Sequence, residues 1–441
     1  MTSRKDEFQH KLISVEEAAN LVKPGMRVAF TGGRDARTIG LAIAARKEEL
    51  NGVHVLVPTP SFDYPWYDEG WQDSFTVSVM VTNAISEPAI RARRIDFDPG
   101  TMIPLDAVEG ARETDICLVE VSPPDDNGYC SFGNSVWAKK RQCASAKLVI
   151  GEVNPHLIRT YGDNFIHISE IDYFVEHVSS GSLPRGTLTG RKVKGVEPHH
   201  EAIAGYVSSL IKDGDTIQIG GGRTTEPLVG IGLLDGKHDL GYHSELAPGG
   251  VIRLVREGVI NGKYKTVNRG KTVVTAIGGG TIAEMRWVNM NPLFHVVDVG
   301  YLEDPRIISA HDNFISINNI LAIDLTGQVT SESIGTMQIA HAGGQIAFVV
   351  GAGMSRGGRS VLVLPSTVTT AQETVSRIMP VFPEGTTVTL SRNFTDYVVT
   401  EYGIARLKGR TLRERANELI GVAHPDFRNG LRKAAQQRFY P

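Results

Sequence analysis

One pattern occurs twice in the sequence, as Val22-Lys-Pro-Gly-Met-Arg-Val-Ala-Phe-Thr-Gly-Gly-Arg34 and as Ile211-Lys-Asp-Gly-Asp-Thr-Ile-Gln-Ile-Gly-Gly-Gly-Arg223. The offset between the copies is constant, since 212 − 23 = 189 and 223 − 34 = 189. Each copy sets an apolar strand between a helix and a glycine turn, and strands that alternate with helices are typical of parallel sheets. We therefore predict an α/β fold of two related, doubly wound domains with largely parallel sheets, at residues 1–190 and 191–441.

Around the first copy, Ser14 and Glu17 have the spacing of a helix capping box. We predict a helix from about residue 39 to residue 46, followed by further strands and a linker. The strands are expected at residues 27–30, 53–57, 77–81, 115–121 and 148–153, and the linker at residues 179–198, which are rich in Gly, Ser, Pro and Lys.

The composition excludes several classes of protein. The 441 residues include 46 Lys and Arg against 49 Asp and Glu, a formal net charge of −3, so a strongly basic nucleic-acid-binding protein is excluded. No apolar run approaches the ~18 residues of a membrane-spanning helix, and no secretory signal is expected. Three cysteines without a CxxC pair are typical of a reducing compartment. We expect a cytoplasmic protein that binds neither nucleic acid nor a membrane.

The repeat singles out one acidic residue. The constant offset aligns Leu56, in the apolar run VHVLV, with Glu245 in the second copy. A carboxylate in a buried strand costs desolvation energy unless it has a function. Alternatively, the second strand ends earlier and Glu245 is a solvated loop residue.

Three glycine-rich segments are candidate ligand sites. The backbone N–H groups of Gly220–Gly222, ahead of a helix that we expect from Glu226 onward, can converge on an anion or a developing oxyanion. The glycine pairs Gly343-Gly344 and Gly357-Gly358 permit close backbone approach to a flat or extended ligand. Alternatively, these glycines only allow tight packing. Neither the Rossmann fingerprint nor the P-loop motif is present, which argues against nucleotide binding by those routes.

A serine hydrolase is an alternative, because Gly353-Met-Ser-Arg-Gly357 satisfies GxSxG, and Asp396 and His424 follow in the order of a triad. However, the residues after Ser355 indicate a strand instead of the helix that this motif requires. The histidines show no metal-ligand spacing, so no metal site is expected.

Several motifs resemble those of the acetyl-CoA hydrolase/CoA-transferase family, and above all its 4-hydroxybutyrate and butyryl-CoA:acetate CoA-transferases. They run in order along nearly the whole chain: VSPPDDNGYCS (121–131), GDNFIHISEID (162–172), GYHSEL (241–246), DLTGQV (324–329), GGQ (343–345), GGRS (357–360), LPST (364–367), VTEYG (399–403) and AHPDF (423–427).

The resemblance implies a ping-pong transferase whose catalytic glutamate is Glu245, with a glutamyl-CoA thioester as intermediate. It implies coenzyme A as cosubstrate, no permanently bound cofactor, and a homodimer. Together with the glycine turns, it assigns an oxyanion and CoA-binding set: Gly220, Gly221, Gly222, Arg223, Thr224, Ile320, Gly343, Gly344 and Thr370.

The chain departs from the family pattern at three places. The first glycine turn continues Arg223-Thr-Thr-Glu-Pro227 where the family has Gly-Ile-Pro-x-Ala-Val. The family's aspartate after Gly-Gly-Gln is replaced by Ala347, and its lysine after Pro-Ser-Thr by Thr370.

Arginines at the two equivalent glycine turns suggest that the acceptor carries a second carboxylate, as succinate or itaconate does. We place Thr31, Arg34, Arg37 and Ser61 in a candidate substrate pocket. An acyl-CoA hydrolase is the alternative from the same chemistry. A ligand-binding sensor is disfavoured, because the sequence has no helix-turn-helix or basic patch.

Overall fold

The computed structural model describes residues 4–100, 113–178, 195–278, 281–370 and 372–441. Of the predicted linker, residues 179–194 lie outside the described residues. The chain divides into two compact units, Met1–Lys192 with Thr275–Tyr301, and Val193–Val274 with Leu302–Pro441.

The first part of the chain alternates helices and strands. Its helices are α1 (Arg4–Lys11), α2 (Val15–Asn20), α3 (Arg37–Ala44), α4 (Glu87–Arg91) and α5 (Lys139–Ser145). Its strands are β1 (Arg27–Phe30), β2 (Val53–Val57), β3 (Phe75–Val79), β4 (Asp96–Phe97), β5 (Thr114–Val121), β6 (Tyr129–Ser131), β7 (Ala146–Val153), β8 (Tyr161–Gly162), β9 (Phe165–His167) and β10 (Tyr173–Glu176). Short 3₁₀ helices occupy Pro65–Tyr67 and Ile168–Glu170.

The remaining elements follow from residue 198 onward. The helices are α6 (Pro198–Leu210), α7 (Val251–Arg256), α8 (Ile282–Val288), α9 (Val299–Leu302), α10 (Pro305–Ser309), α11 (Gln345–Met354), α12 (Leu412–Gly421) and α13 (Pro425–Phe439). The larger strands are β11 (Thr216–Ile219), β12 (Gly241–Ala247), β13 (Thr272–Ile277), β14 (Phe294–Val296), β15 (Phe314–Asn319), β20 (Arg359–Val363), β24 (Tyr397–Thr400) and β25 (Gly403–Arg406). The short strands are β16 (Ala322–Asp324), β17 (Val329–Thr330), β18 (Ser333–Ile334), β19 (Met337–Gln338), β21 (Thr367–Thr369), β22 (Thr374–Ser376) and β23 (Ile378–Met379).

The first unit is built on a seven-stranded parallel sheet in the order β10-β7-β5-β1-β2-β3-β4. The capping box that the sequence predicts at Ser14 and Glu17 is present at the start of α2. Side chains from this sheet and its helices form a buried apolar core that includes Phe30, Val55 and Trp66.

In the second unit, strands pair in the order β25-β24-β20-β15-β11-β12, all parallel except for β24 with β25. A second apolar core lies here and includes Ile323, Leu362 and Leu419. The helix expected from Glu226 onward is a 3₁₀ helix, Glu226–Ile231, with Pro227 in its first turn.

The two units repeat one topology, which confirms the fold class. In each, the first strand (β1 or β11) lies between the second strand on one side and a strand from later in the chain on the other. The offset of 189 maps β1 onto β11 residue for residue, since 27 + 189 = 216 and 30 + 189 = 219.

One segment differs from the predicted division. The sequence assigns residues 275–301 to the C-terminal domain, whereas the structure places them with the first unit. The reason is hydrogen bonding, because β14 pairs with β8, Val136 N–H donates to Thr275 O at 2.9 Å, and the Asn134 side chain donates to Ile277 O at 2.9 Å.

This topology determines where a site can form. In doubly wound sheets, ligands bind outside the carboxyl ends of the strands, where the winding direction reverses. The reversal lies between β1 and β5 in the first unit, and between β11 and β15 in the second. The glycine turns of the two repeat copies, at Gly32-Gly33 and Gly220–Gly222, directly follow the first strand of their unit, at this reversal.

Candidate active site

Glu245 lies inside β12, which continues to Ala247. The alternative of a solvated loop residue is therefore wrong. Alternate residues of a strand face the same side, so Glu245 shares its face with His243, which is fully buried. Glu245 itself keeps a partly exposed surface near the carboxyl end of the strand.

A second glutamate and a glycine pair surround the Glu245 carboxyl group. Glu303 is fully buried and hydrogen-bonds to Glu245, and the backbone N–H of Gly344 donates to Glu245. A Cβ on Gly344 would lie 2.7 Å from Cδ of Glu303, and one on Gly343 would lie 3.8 Å from Oε1 of Glu245. The Gly343–Gly344 turn thus packs its backbone against both carboxyl groups.

The surroundings of Glu245 keep its carboxyl group poorly solvated and thereby change its pKa. Burial raises the pKa of Glu245 above its ordinary value, because ionisation in a dry environment is costly. The hydrogen bonds from Glu303 and Gly344 lower this pKa, as a positive charge on His341 would, but they do not cancel the effect of burial. His341 Nδ1 accepts a 2.7 Å hydrogen bond from Gly343 N–H, which holds the turn in place.

The turn Gly220–Gly222 uses part of its hydrogen-bonding capacity inside the fold. Gly220 N–H donates to Ile317 O at 2.8 Å, and Gly222 N–H donates to Oε1 of Glu226 at 3.1 Å. Gly221 is exposed, and its N–H makes no hydrogen bond to the described residues. Of the three amides, that of Gly221 is the one available to an incoming oxyanion.

Side chains at the end of β15 leave no room for larger residues in this turn. A Cβ on Gly220 would lie 2.4 Å from Oδ1 of Asn318, and one on Gly222 would lie 2.9 Å from Cβ of Asn319. Asn318 is itself fixed by a pair of amide–amide hydrogen bonds to Gln218, at 2.9 and 3.1 Å.

The remaining members of the predicted CoA-binding set occupy three kinds of position. Thr224 and Ile320 are buried, whereas Arg223 is exposed. Thr370 lies in the exposed turn between β21 and β22, where its hydroxyl bonds to Glu373 O at 2.9 Å. The Thr370 hydroxyl therefore stabilises the hairpin of β21 and β22.

The candidate substrate pocket belongs to the first unit. Thr31 is buried, and Ser61 is joined to Asp35 by two hydrogen bonds of 3.0 and 3.1 Å. Burial raises the pKa of Asp35 to about 7. Arg37 stacks on the Phe62 ring at 4.1 Å, and its buried Nε has no hydrogen-bond partner in the described part of the chain.

The positive charge of Arg34 is already balanced by a carboxylate. It forms a bidentate ion pair with Glu120, at 2.5 and 3.1 Å, and Asn154 donates to the same carboxylate at 2.8 Å. Burial opposes ionisation of Glu120, but Arg34 and Asn154 outweigh it and lower the pKa of Glu120. Arg34 is therefore a structural cation.

At the equivalent arginine of the second unit, Arg223, the place of this carboxylate is taken by an amide. Phe30 pairs with Leu118, and its equivalent Ile219 pairs with Ile317, so Glu120 corresponds to Asn319. Arg223 also lies near Arg377, whose pKa is lowered by burial and by the charge of Arg223, and raised by Glu401 and Glu197. Two arginines thus lie near each other at the glycine turn of the second unit, with Glu197, Glu401 and Glu226 as the acidic groups around them.

The geometry around Ser355 does not form a nucleophile elbow. Ser355 follows α11 and precedes β20, the reverse of the required strand–turn–helix order. Its hydroxyl donates to His311 O at 2.5 Å and accepts from Phe314 N–H at 3.2 Å. His424 instead caps α13.

Sequence reasoning missed Glu303, Arg377 and Asp35. Glu303 follows the apolar run VGYL, but an acid after a short helix gives no local signal of a carboxyl pair. Across the described ranges, no cluster of histidine, cysteine or carboxylate side chains could hold a metal ion, and no helix is long and apolar enough to cross a membrane.

Comparisons with known proteins place this chain in a family. The acetyl-CoA hydrolase/transferase N-terminal domain matches residues 1–180, and the C-terminal domain of the same name matches residues 280–435.

Curated relatives match the full length. The 4-hydroxybutyrate coenzyme A transferase of Clostridium kluyveri is 40% identical over 98% of this chain and 99% of its own. The succinyl-CoA:cyclohexane-1-carboxylate CoA transferase of Geobacter metallireducens is 37% identical over 99% of this chain and 97% of its own. Among solved structures, RipA from Yersinia pestis superposes with a TM-score of 0.88, at 32% identity and 99% coverage of both chains.

Proposed function

The chain belongs to the acetyl-CoA hydrolase/transferase family, and we propose that it is a CoA-transferase that moves CoA from an acyl-CoA to a small carboxylic acid through Glu245. The observation that carries this proposal is the position of the Glu245 carboxyl group, partly buried at the end of β12 and in contact with Glu303 and the Gly343–Gly344 backbone.

The chemistry follows from a carboxylate nucleophile. Ionised Glu245 attacks the thioester carbonyl, and CoA leaves as a thiolate to give a mixed anhydride. The thiolate then attacks the glutamyl carbonyl, which releases the first acid and leaves a glutamyl-CoA thioester. A second carboxylate reverses both steps. No redox agent or metal takes part in this sequence.

Two sets of groups support the tetrahedral intermediates and the cosubstrate. The N–H groups of Gly221 and Gly344 are the candidate oxyanion donors, and loss of one such donor lowers the rate by roughly 10²–10³. We assign the CoA phosphates to the positive charge of Arg223 and Arg377, since phosphate groups pair favourably with guanidinium groups. This cationic pair provides the charge that the family's lysine would provide at the position of Thr370.

We further propose an acceptor with a second carboxylate. A relative from Fasciola hepatica, 34% identical, is named a succinyl-CoA:acetate/propanoyl-CoA:succinate CoA transferase, and the succinate acceptor in that name supports a dicarboxylate substrate. Since Arg34 is paired with Glu120, the cation that we propose for the second carboxylate is Arg37, whose buried Nε has no hydrogen-bond partner among the described residues.

The test is covalent trapping of the intermediate. The enzyme is incubated with an acyl-CoA, reduced with borohydride and digested with trypsin, and the expected mass change lies on the peptide from His238 to Arg253. Glu245→Gln treated in parallel should show no change. An unmodified peptide in the active wild-type enzyme would contradict the covalent route.

The hydrolase alternative is tested in the same preparation. Thiol release is measured with and without an added carboxylate. A rate without acceptor that matches the rate with acceptor would support an acyl-CoA hydrolase, whereas strict acceptor dependence supports the transferase.

A further inference from the structure

We propose that Glu303 is a neutral carboxylic acid that donates a hydrogen bond to the reacting carboxyl group of Glu245 throughout the catalytic cycle. The proposal rests on the proposed function, because it concerns the charge that develops on the Glu245 oxygens. It assigns a catalytic role to a residue 58 positions away in the sequence (303 − 245 = 58).

The position of Glu303 is fixed from two sides. His243 is buried, and burial holds its pKa well below the ordinary value, so the ring is neutral. Its Nε2 lies 2.8 Å from Leu302 O, and this bond ties the residue before Glu303 to the strand that carries Glu245. On the other side, the absence of a side chain at Gly344 leaves the space that the Glu303 carboxyl group occupies.

The charges around the pair determine where the proton lies. Two carboxyl groups in contact cannot both ionise without a large repulsion, so a neighbouring pair shares a proton. Glu303 has no solvent-accessible surface, whereas Glu245 is partly exposed, and the less solvated group keeps the proton. The other titratable groups facing the site are His341, whose Nδ1 accepts from Gly343 N–H and whose protonated form would favour ionised Glu245, and neutral His243.

A protonated Glu303 suits each step of the reaction. In the resting enzyme its O–H donates to the Glu245 carboxylate, which orients the nucleophile and keeps it ionised. When thiolate or carboxylate attacks the glutamyl carbonyl, negative charge develops on a Glu245 oxygen, and the same O–H stabilises it. The proton stays on Glu303 when the intermediate collapses, so the step needs no other acid or base.

The test compares two variants of Glu303, one that keeps a hydrogen-bond donor of the same size and one that has no donor. Glu303→Gln retains an N–H donor but cannot ionise, and Glu303→Ala has neither property. We expect the rate of single-turnover thioester formation to fall by roughly 10²–10³ in Glu303→Ala and to stay within about tenfold of wild type in Glu303→Gln.

The pH profile separates this role from a structural one. The wild-type rate should fall at low pH, where both carboxyl groups are protonated, and at high pH, where both are ionised. In Glu303→Gln the alkaline fall should disappear while the acid fall remains. The matched control is Glu257→Gln, because Glu257 is exposed and paired with Arg253. The rate of this variant should fall at both low and high pH, as in the wild type.

Each outcome decides the proposal. A folded Glu303→Gln that is as slow as Glu303→Ala, or that keeps the alkaline limb, overturns it. If Glu303→Gln does not fold, infrared spectra of Asp35→Asn decide, because this variant lacks the other carboxyl group with a pKa near 7, and a protonated-carboxyl band present at neutral pH should still vanish as the pH rises. Absence of that band overturns the proposal. Failure to trap any adduct on wild-type Glu245 would instead count against the proposed function.

Discussion

At the residue scale, the site depends on the absence of a side chain at Gly344, beside Glu245 and Glu303. Gly344 has an ordinary backbone conformation, φ −79°, so its backbone does not require glycine. The Glu303 carboxyl group requires it, because the position of a Cβ would overlap that group. A substitution here therefore perturbs the pair of acids without altering either of them.

We predict that Gly344→Ala lowers kcat at least tenfold and destabilises the fold by about 1–3 kcal/mol, as overpacking of a dense interior does. Single-turnover kinetics and thermal unfolding measure the two effects. Gly353→Ala, in the same helix region but with no atom within 4 Å of the added Cβ, is the control and should retain wild-type kcat. Equal losses in the two variants would contradict the steric argument.

A second residue-scale prediction concerns the acceptor. If Arg37 binds the distal carboxylate, Arg37→Ala should raise KM for succinate about tenfold or more and leave KM for a monocarboxylate of similar length nearly unchanged. Steady-state kinetics with both acceptors provide the test. Arg91→Ala, an exposed arginine paired with Glu87, should change neither value, and a wild-type preference for monocarboxylates would remove the dicarboxylate proposal.

At the scale of elements, the two units use the same strand order for different purposes. In the first unit, the acid at the end of β5 neutralises the arginine of the glycine turn. In the second unit, Asn319 at the end of β15 has the equivalent place, and its buried Oδ1 accepts no hydrogen bond from the described residues. The first unit therefore has an ion pair at its switch point, whereas the second unit has an uncharged amide, Asn319, at the equivalent place.

We predict that Asn319→Asp weakens acyl-CoA binding. The new carboxylate lies beside the turn that carries Arg223 and should raise KM for acyl-CoA about threefold to tenfold, with little effect on kcat. The effect should shrink in high salt, since it is electrostatic. Asn51→Asp, at an exposed position, is the control, and an unchanged KM at low salt would refute the assignment of the CoA phosphates.

At the scale of the whole molecule, a buried lysine couples the stability of the fold to pH. Lys265 is 3% exposed, and its Nζ donates to Tyr242 O at 2.8 Å and Lys271 O at 2.9 Å. Burial lowers its pKa from 10.5 to about 7. Between these two values, the unfolded chain binds a proton that the folded chain does not.

The free energy of unfolding should therefore gain a contribution from Lys265 that rises with pH from about 7 to about 10.5, by at most about 1.4 kcal/mol per pH unit. Urea unfolding at pH 7 and pH 9 measures the slope. Lys265→Met should have a shallower slope than the wild type. Lys237→Met, whose lysine is less buried, should leave the slope unchanged.

The sequence by itself determined the repeated α/β fold and selected Glu245. Both follow from local periodicity, because strand and helix patterns are set by neighbouring residues, and a carboxylate that interrupts an apolar strand is visible without any partner. The strand predicted at residues 27–30, for example, has the same bounds in the structure.

Only the tertiary structure decided what those residues touch. Arg34 and Arg223 are equivalent in the sequence repeat, yet Arg34 is paired with Glu120, whereas the place of Glu120 is taken by Asn319 in the second unit, because strand order brings β5 and β15 beside the turns. Glu303 reaches Glu245 because His243 Nε2 bonds to Leu302 O and Gly344 leaves space for its carboxyl group. Desolvation, shared protons and ion pairs depend on distances across the fold, and residues far apart in the chain acquire those distances only when the sheets assemble.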